Sequence, residues 1–341
     1  MRGLRALAIL AVGVPLAFLV ILFARSDLPQ SWPEPGGYFV PRSVPTDAAT
    51  AGPAKVATVT PVPGSVRFAV IGDFGSGSPN EAAVAKLVTG WNPDFVVTVG
   101  DDRYNNPYGS NYDTVVGGFY CSYLKDVISG PRCAGGTSAI NRFFPATGNH
   151  DYSDGGGLKE YLGYFTLPGT GITTTNTTGT ERYYDFVEGP VHFFVLDSMG
   201  AIQSSSDARA QKAWLQAQLA AAKEPWTLVI FHHPPYSSGI HGSNAAMQWP
   251  FAAWGADAVL AGHDHTYERL LIDGIPYFVN GLGGESRYGF RTPVTGSVVR
   301  YDRDFGAMLV DASPTSIAYQ FVNRSGKVID TYVEESPCNQ R

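Results

Sequence analysis

The chain has 341 residues, 30 acidic against 24 basic, for a formal net charge of −6. Length and a 44% hydrophobic content allow one large domain with a substantial core. Only 16% of residues are charged, with no Lys/Arg cluster, which argues against nucleic acid as the main partner.

Met1-Arg-Gly-Leu-Arg5 opens the chain, followed by an uncharged apolar stretch from Ala6 to Ala24 and then Arg25. Such a stretch is close to the roughly 20 residues that span a bilayer as a helix, and longer than most signal-peptide cores. Residues 1–25 are therefore expected to direct export, either as an uncleaved membrane anchor or as a signal cleaved near Ala24-Arg25-Ser26, with a core helix as a third reading. Arg2 and Arg5 favour a cytoplasmic N-terminus and an extracytoplasmic remainder. Residues 26–64 carry Pro29, Pro33, Pro35, Pro41, Pro45, Pro53, Pro61 and Pro63 without an apolar period, the composition of an extended linker.

Residues 65–335 form the expected folded body, with 336–341 as a tail. Short apolar runs alternate there with amphipathic stretches, Glu81 to Thr89 and Ala208 to Lys223, in the pattern of βα units. Further strands are expected at Tyr183 to Val187, Val191 to Asp197, Pro276 to Val279, Ala307 to Val310, Ser316 to Val322 and Lys327 to Val333, the last two joined as a hairpin across Asn323-Arg-Ser-Gly326. The expected fold is α/β, two packed mixed β-sheets flanked by helices.

Cys121 and Cys133 lie in a Gly-, Tyr- and Ser-rich excursion, where an exported chain can keep a disulfide; two free thiols and a metal role are the other readings. Cys338 stands alone in the tail. Asn176-Thr-Thr and Asn323-Arg-Ser match the glycosylation pattern, which only a eukaryotic host would use.

Five apolar runs end at Gly or His and then offer metal-type donors. They are Phe68-Ala-Val-Ile-Gly-Asp73, Phe95-Val-Val-Thr-Val-Gly-Asp101, Phe144-Pro-Ala-Thr-Gly-Asn-His-Asp151, Thr227-Leu-Val-Ile-Phe-His232 and Ala258-Val-Leu-Ala-Gly-His-Asp-His265. Beyond the carboxyl ends of parallel strands such groups collect in one crevice. An Asp after a Gly is ordinarily a turn residue, and a lone His is ordinarily structural; five in series make a shared metal site the better reading. Asp73, Asp101, Asn149, His232, His263 and His265 mix oxygen and imidazole donors in a set suited to iron, zinc or manganese. A shared carboxylate allows two ions about 3.5–4 Å apart, the clamp for in-line displacement at phosphorus.

These blocks resemble the calcineurin-like metallophosphoesterases, and within them the purple acid phosphatases. Gly72-Asp73-Phe74-Gly75, Gly100-Asp101-Asp102-Arg103-Tyr104, Gly148-Asn149-His150-Asp151, Val229-Ile230-Phe231-His232 and Gly262-His263-Asp264-His265 match that subfamily's D-x-G, G-D-x-x-Y, G-N-H-D/E, V-x-x-H and G-H-x-H. His265-Thr-Tyr-Glu-Arg269 resembles the continuation common in the plant enzymes. Gly75 and Tyr104 stand where the general superfamily pattern has His and Asn, and a phenolate favours ferric iron.

The resemblance implies the four-layer αββα sandwich of that superfamily. It also implies a ferric ion on Asp73, Asp101, Tyr104 and His265, with a divalent ion (Fe, Zn or Mn) on Asn149, His232 and His263 and Asp101 bridging. Hydrolysis of small phosphate monoesters would proceed by in-line attack of a metal-held hydroxide. His150 and His241 correspond to histidines that contact phosphate or protonate the leaving oxygen, while Asp151, His233 and Asp264 support the site, as do Asp102, Tyr267 and Arg269. At the His232-His233 pair the second imidazole is the alternative ligand. Two other functions remain open: a phosphodiesterase or nucleotidase on the same core, with Tyr108, Tyr112 or Tyr120 as a base-stacking wall, and a non-catalytic membrane-tethered protein that binds metal or phosphate.

Overall fold

The computed structural model describes residues 63–105, 111–128, 130–152, 158–175 and 178–336. The expected membrane segment 1–25, the linker up to residue 62, Tyr108, Asn176 and Cys338 lie outside the described residues. Among the described residues no helix is long and apolar enough to cross a membrane.

Two mixed sheets are present, each with a parallel centre. In the first, β1 (Val66–Ile71), β2 (Phe95–Thr98) and β3 (Phe143–Phe144) run parallel. Beyond β1 it continues antiparallel through β11 (Gly306–Ala312), β12 (Ser316–Asn323) and β13 (Val328–Glu335), in the order β13-β12-β11-β1-β2-β3. In the second, β5 (Val191–Val195), β6 (Trp226–Ile230), β7 (Ala258–Ala261) and β9 (Ile275–Asn280) are parallel. β4 (Tyr184–Glu188) closes one edge, and β8 (Tyr267–Ile272) with β10 (Ser297–Tyr301) the other, giving the order β10-β8-β9-β7-β6-β5-β4.

Strands buried on both faces are near-continuous apolar runs, which is why the parallel ones were legible. Aromatic rings fill the space between the sheets. Phe68 stacks on Phe95 at 5.0 Å and meets Phe193 edge-on at 5.2 Å, while Tyr267 stacks on Phe321 at 4.2 Å. A second apolar cluster covers the outer face of the seven-stranded sheet, where helix Ser205–Ala221 places Leu215 and Leu219 with Phe194, Val229 and Phe231. Helix Pro79–Gly90 begins in a reciprocal cap. Ser78 Oγ accepts from Glu81 N, satisfying a free N–H of the first turn, and the Glu81 carboxylate reaches back to accept from Gly77 N just before the cap. The spacing Ser78-Pro-Asn-Glu81 carries that signal.

Four strands differ from the sequence reading. The run from Val191 ends at Val195, because Asp197 turns to cap helix Ser198–Gln203 by accepting from Gly200 N at 2.9 Å. Strand β3 has only two residues, and the extended chain after it serves as a loop. Strands β8 and β10 have no counterpart in the sequence reading. In β8 the adjacent charges Glu268 and Arg269 break the apolar period, yet each is paired, Arg269 with Asp330 of β13 at 2.7 Å. A disulfide joins Cys121 and Cys133.

Candidate metal centre

All five donor-bearing loops leave the carboxyl ends of parallel strands: β1, β2 and β3 in one sheet, β6 and β7 in the other. The crevice is shared because the sheets pack face to face. Sharp exits are needed to bring the donors together, and Asp73 (φ 54°), Asp101 (φ 54°) and His263 (φ 70°) all adopt left-handed backbone. Non-glycine residues tolerate this only when the surroundings over-determine them, a pattern that gathers at functional sites. The first two loops lock together through Asp73 N to Gly100 O at 3.1 Å and Tyr104 N to Gly75 O at 2.7 Å. A side chain at Gly75 would lie 1.9 Å from the Asp102 carbonyl oxygen, and one at Gly148 2.1 Å from Asp101 Oδ1, so both glycines permit close backbone contact.

One group of donors surrounds the Tyr104 phenol. Its oxygen lies 3.0 Å from Asp101 Oδ2, 3.3 Å from Asp73 Oδ1 and 3.3 Å from His265 Nε2, with Asp73 Oδ1 3.3 Å from that same nitrogen. A second group surrounds His232. Its Nε2 is 3.1 Å from Asn149 Oδ1, 3.2 Å from Asp101 Oδ2 and 3.3 Å from His263 Nδ1. Asp101 Oδ2 belongs to both groups. Within these groups the donor atoms of Asp73, Asp101 and His232 all lie within 4.8 Å of one another.

The hydrogen-bond partners of the rings show what fits between these atoms. His232 Nδ1 faces the Val99 carbonyl at 2.9 Å, so in the neutral ring that nitrogen carries the proton and Nε2 presents a lone pair. That lone pair meets the Asn149 carbonyl oxygen, a carboxylate oxygen and another imidazole nitrogen, with too few protons to bridge them. His265 Nδ1 is likewise held by Ser286 Oγ at 2.7 Å, which aims Nε2 at Asp73 and Tyr104. Converging lone pairs with the far ring nitrogen held from outside suit cations of the borderline class.

Without a cation the charges compensate one another. Burial pulls His232 down, but the Asp101 carboxylate outweighs it and the ring ends at about 9. His263 is pushed down to about 2 by burial and by the His232 and His233 rings. Burial alone would raise Asp101, yet His232 and His150 hold it below the usual carboxylate range. Burial, Asp101 and Asp73 push the Tyr104 phenol well up, a trend that a cation among these groups opposes.

Around the donors stand the other expected residues. His150 N donates to Asp101 Oδ1 at 2.8 Å, and its ring lies 4.4 Å from that of Tyr104. The exposed His241 ring lies 4.3 Å from His263. Asp151 holds backbone: it accepts from Gly148 N at 2.7 Å and Asp102 N at 3.4 Å, and from Tyr112 Oη at 2.9 Å. His233 Nδ1 is taken up by Ser198 Oγ at 2.9 Å while its ring packs 4.5 Å from that of His263, and burial with the His232 charge pushes it down to about 3. Asp264 is wholly buried and grips the loop that carries His241, through Ser237 Oγ at 2.5 Å and His241 N at 2.8 Å.

Several expectations are revised. Tyr267 and Arg269 pair with Asp330 across the two sheets, at 2.8 and 2.7 Å, and so brace the sandwich and not the donors. Tyr112 and Tyr120 are buried in the core and form no base-stacking wall. Ser286, Ser198 and Tyr288 went unrecognised in the sequence, and Tyr112, read there as a stacking wall, instead donates to Asp151. Tyr288 stacks on His265 at 4.1 Å and meets His241 at 5.4 Å. Each acts through contacts distant in sequence, and no local spacing announced them.

The family model for calcineurin-like phosphoesterases matches residues 66–267. The chain belongs to that family. This phosphoesterase is 26% identical to the tartrate-resistant acid phosphatase type 5 of Mus musculus over 319 residues, which cover 77% of this chain and 88% of the mouse protein. It is also 29% identical to purple acid phosphatase 23 of Arabidopsis thaliana over 230 residues, which cover 60% of this chain and 47% of the plant protein. Two solved structures share the fold at low identity. One is a purple acid phosphatase from yellow lupin (Lupinus luteus) seeds, with TM-score 0.59, 20% identity and coverage of 80% of this chain and 55% of that one. The other is GAP50, described as the anchor in the inner membrane complex of Plasmodium, with TM-score 0.61, 18% identity and coverage of 80% and 89%.

Proposed function

We propose that this phosphoesterase is an exported phosphatase that hydrolyses small phosphate monoesters on two metal ions, a ferric ion and a divalent partner. The observation that carries the reading is Asp101 Oδ2, 3.0 Å from Tyr104 Oη on one side and 3.2 Å from His232 Nε2 on the other, the position of a bridging ligand. Asp73, Asp101, Tyr104 and His265 would hold the ferric ion, and Asn149, His232 and His263 the divalent iron, zinc or manganese, with Asp101 shared. When bound, the ions supply Lewis acidity, making a water acidic enough to serve as nucleophile and offsetting negative charge on the phosphoryl oxygens. Residues 65–335 constitute the catalytic domain in this reading, residues 1–25 the anchor or signal and 26–64 the linker.

The protein's own groups place and protonate. Ser286 and the Val99 carbonyl fix the ring orientations of His265 and His232. His150 and His241 stand beside the donor groups with rings half-buried and exposed, open to an incoming phosphoryl group. His241 protonates the leaving alkoxide, which an aryl oxide does not require. His150 and His241 are also the groups that a protein binding only metal would not need.

Metal analysis of the purified protein with a visible spectrum tests the centre directly. About two ions are expected, with an absorption band that Tyr104→Phe removes. A panel of monoesters and diesters then follows: monoester preference is expected, and undiminished turnover after the metals are stripped overturns the reading. Fractionation tests export, with the body expected on the outer face of a membrane or in the medium.

A further inference from the structure

Between β6 and helix-forming residues further on, the chain runs through Tyr236-Ser-Ser-Gly-Ile-His-Gly-Ser243, an irregular loop whose exposed His241 approaches the site. Such loops are ordinarily mobile, yet general acid catalysis needs a proton donor held within hydrogen-bond reach of one atom. The question is what holds this one.

Ser238 is the anchor. Its N–H donates to Glu268 Oε2 at 2.7 Å and its hydroxyl to Glu268 Oε1 at 2.6 Å, so one buried carboxylate takes both donors of one residue. The same hydroxyl accepts from Val294 N at 3.0 Å, and the Ser238 carbonyl accepts from Arg291 N at 2.8 Å. Every polar group of Ser238 is therefore paired. Glu268 itself is fully buried in β8, the strand that follows His265, and also accepts from Ser297 Oγ.

We propose that Glu268 is a positioning residue for His241. It touches no donor of the metal centre in the bonds above and acts through Ser238, three residues before His241. Together with Asp264, which accepts from His241 N, it clamps the loop at two points to the segment that carries His263 and His265. The histidine's place relative to the metal centre is thereby set by the strand that follows the ligands. This role accounts for a buried carboxylate that interrupts the apolar period of β8, with Ser297 Oγ of the neighbouring β10 as its further partner. The inference rests on the reading of His241 as the leaving-group acid.

The test uses Glu268→Ala, Glu268→Gln and Ser238→Ala in the full protein, with hydrogen exchange, metal content and kinetics on an alkyl and an aryl monoester. Glu268→Ala should speed exchange in residues 237–242 while the sheets keep their protection. It should lower kcat on the alkyl ester about 10-fold or more and on the aryl ester far less, a part of the ~10²–10⁴ that general acid catalysis supplies. Glu268→Gln retains an acceptor for Ser238 N–H and should restore most of both. In a His241→Ala background the Glu268→Ala loss should vanish. Unchanged exchange in 237–242, an equal loss with and without His241, or loss of bound metal overturns the proposal. Should Glu268→Ala fail to fold, Ser238→Ala carries the same expectations from the other side of the contact. A His241→Ala variant that keeps full alkyl activity would remove the acid role of His241, and the exchange data would still decide whether Glu268 holds the loop.

Discussion

Two places in this molecule put buried histidine against carboxylate, and they are built differently. At the edge of the seven-stranded sheet, His192 in β5 lies between Asp185 Oδ2, 2.8 Å from Nε2, and Glu224 Oε2, 3.0 Å from Nδ1. Both ring nitrogens meet a carboxylate, Asp185 also accepts from Thr174 and Thr175, and the group is closed. In the crevice, each of His232 and His265 has one nitrogen held by a carbonyl or hydroxyl, and the other faces oxygen and nitrogen lone pairs. The same residue types thus make a closed clamp where both ring nitrogens meet carboxylates, and an open donor cluster suited to a cation where one nitrogen is tied back and the other faces several donor atoms. Residue inventory alone does not separate the two; the partner of the far ring nitrogen does.

The largest expected effect strikes the crevice at its shared atom. Asp101→Asn should lower turnover by more than about 10²-fold, since even the outer partners of metal ligands typically cost about 10–100-fold, and metal analysis should show both ions depleted. If one ion stays at full occupancy with normal turnover, Asp101 does not bridge.

At the clamp the expected loss is in stability. His192→Phe should destabilise the fold by about 3 kcal/mol at neutral pH, the scale of breaking a buried pair, with metal content unchanged. The pH dependence has a definite sign. Burial raises Asp185, but the His192 and Thr175 bonds outweigh it and its folded pKa lies below the ordinary value. A depressed carboxylate stabilises the fold above its unfolded pKa of about 4, and that contribution is lost as pH falls through the folded value. The gap between wild type and His192→Phe should therefore narrow in acid below about pH 4, as read by urea unfolding at several pH values. A gap that widens in acid would contradict the clamp.

The smallest effect separates ring orientation from ligation. Ser286→Ala removes the partner of His265 Nδ1 and should weaken metal retention about 10-fold, at the lower end of what such outer partners contribute, leaving thermal unfolding of the metal-free protein unchanged. Titration with a chelator followed by metal analysis reads this directly, and equal metal retention in the variant would show that the packing of Tyr288 on His265 orients the ring sufficiently.

The parts of this protein that its sequence determined are those with a local physical signature. Apolar runs such as Phe68 to Ile71 and Ala258 to Ala261, short and ended by glycine, read as buried strands, and a glycine followed by a donor marks four of the five exits, so the donor blocks were legible together with the two-sheet architecture. The tertiary structure decided what depends on a partner far along the chain. Glu268 looks like an interruption of a strand until Ser238 is placed beside it, and His192 looks like any strand histidine until Asp185 and Glu224 close on it. His232 and His233 are equivalent in sequence; the Val99 carbonyl, 133 residues away, leaves His232 Nε2 facing Asn149 and Asp101, whereas Ser198 takes up Nδ1 of His233. Hydrogen-bond direction depends on where two distant segments come to lie, and packing of the two sheets is what brings those segments together.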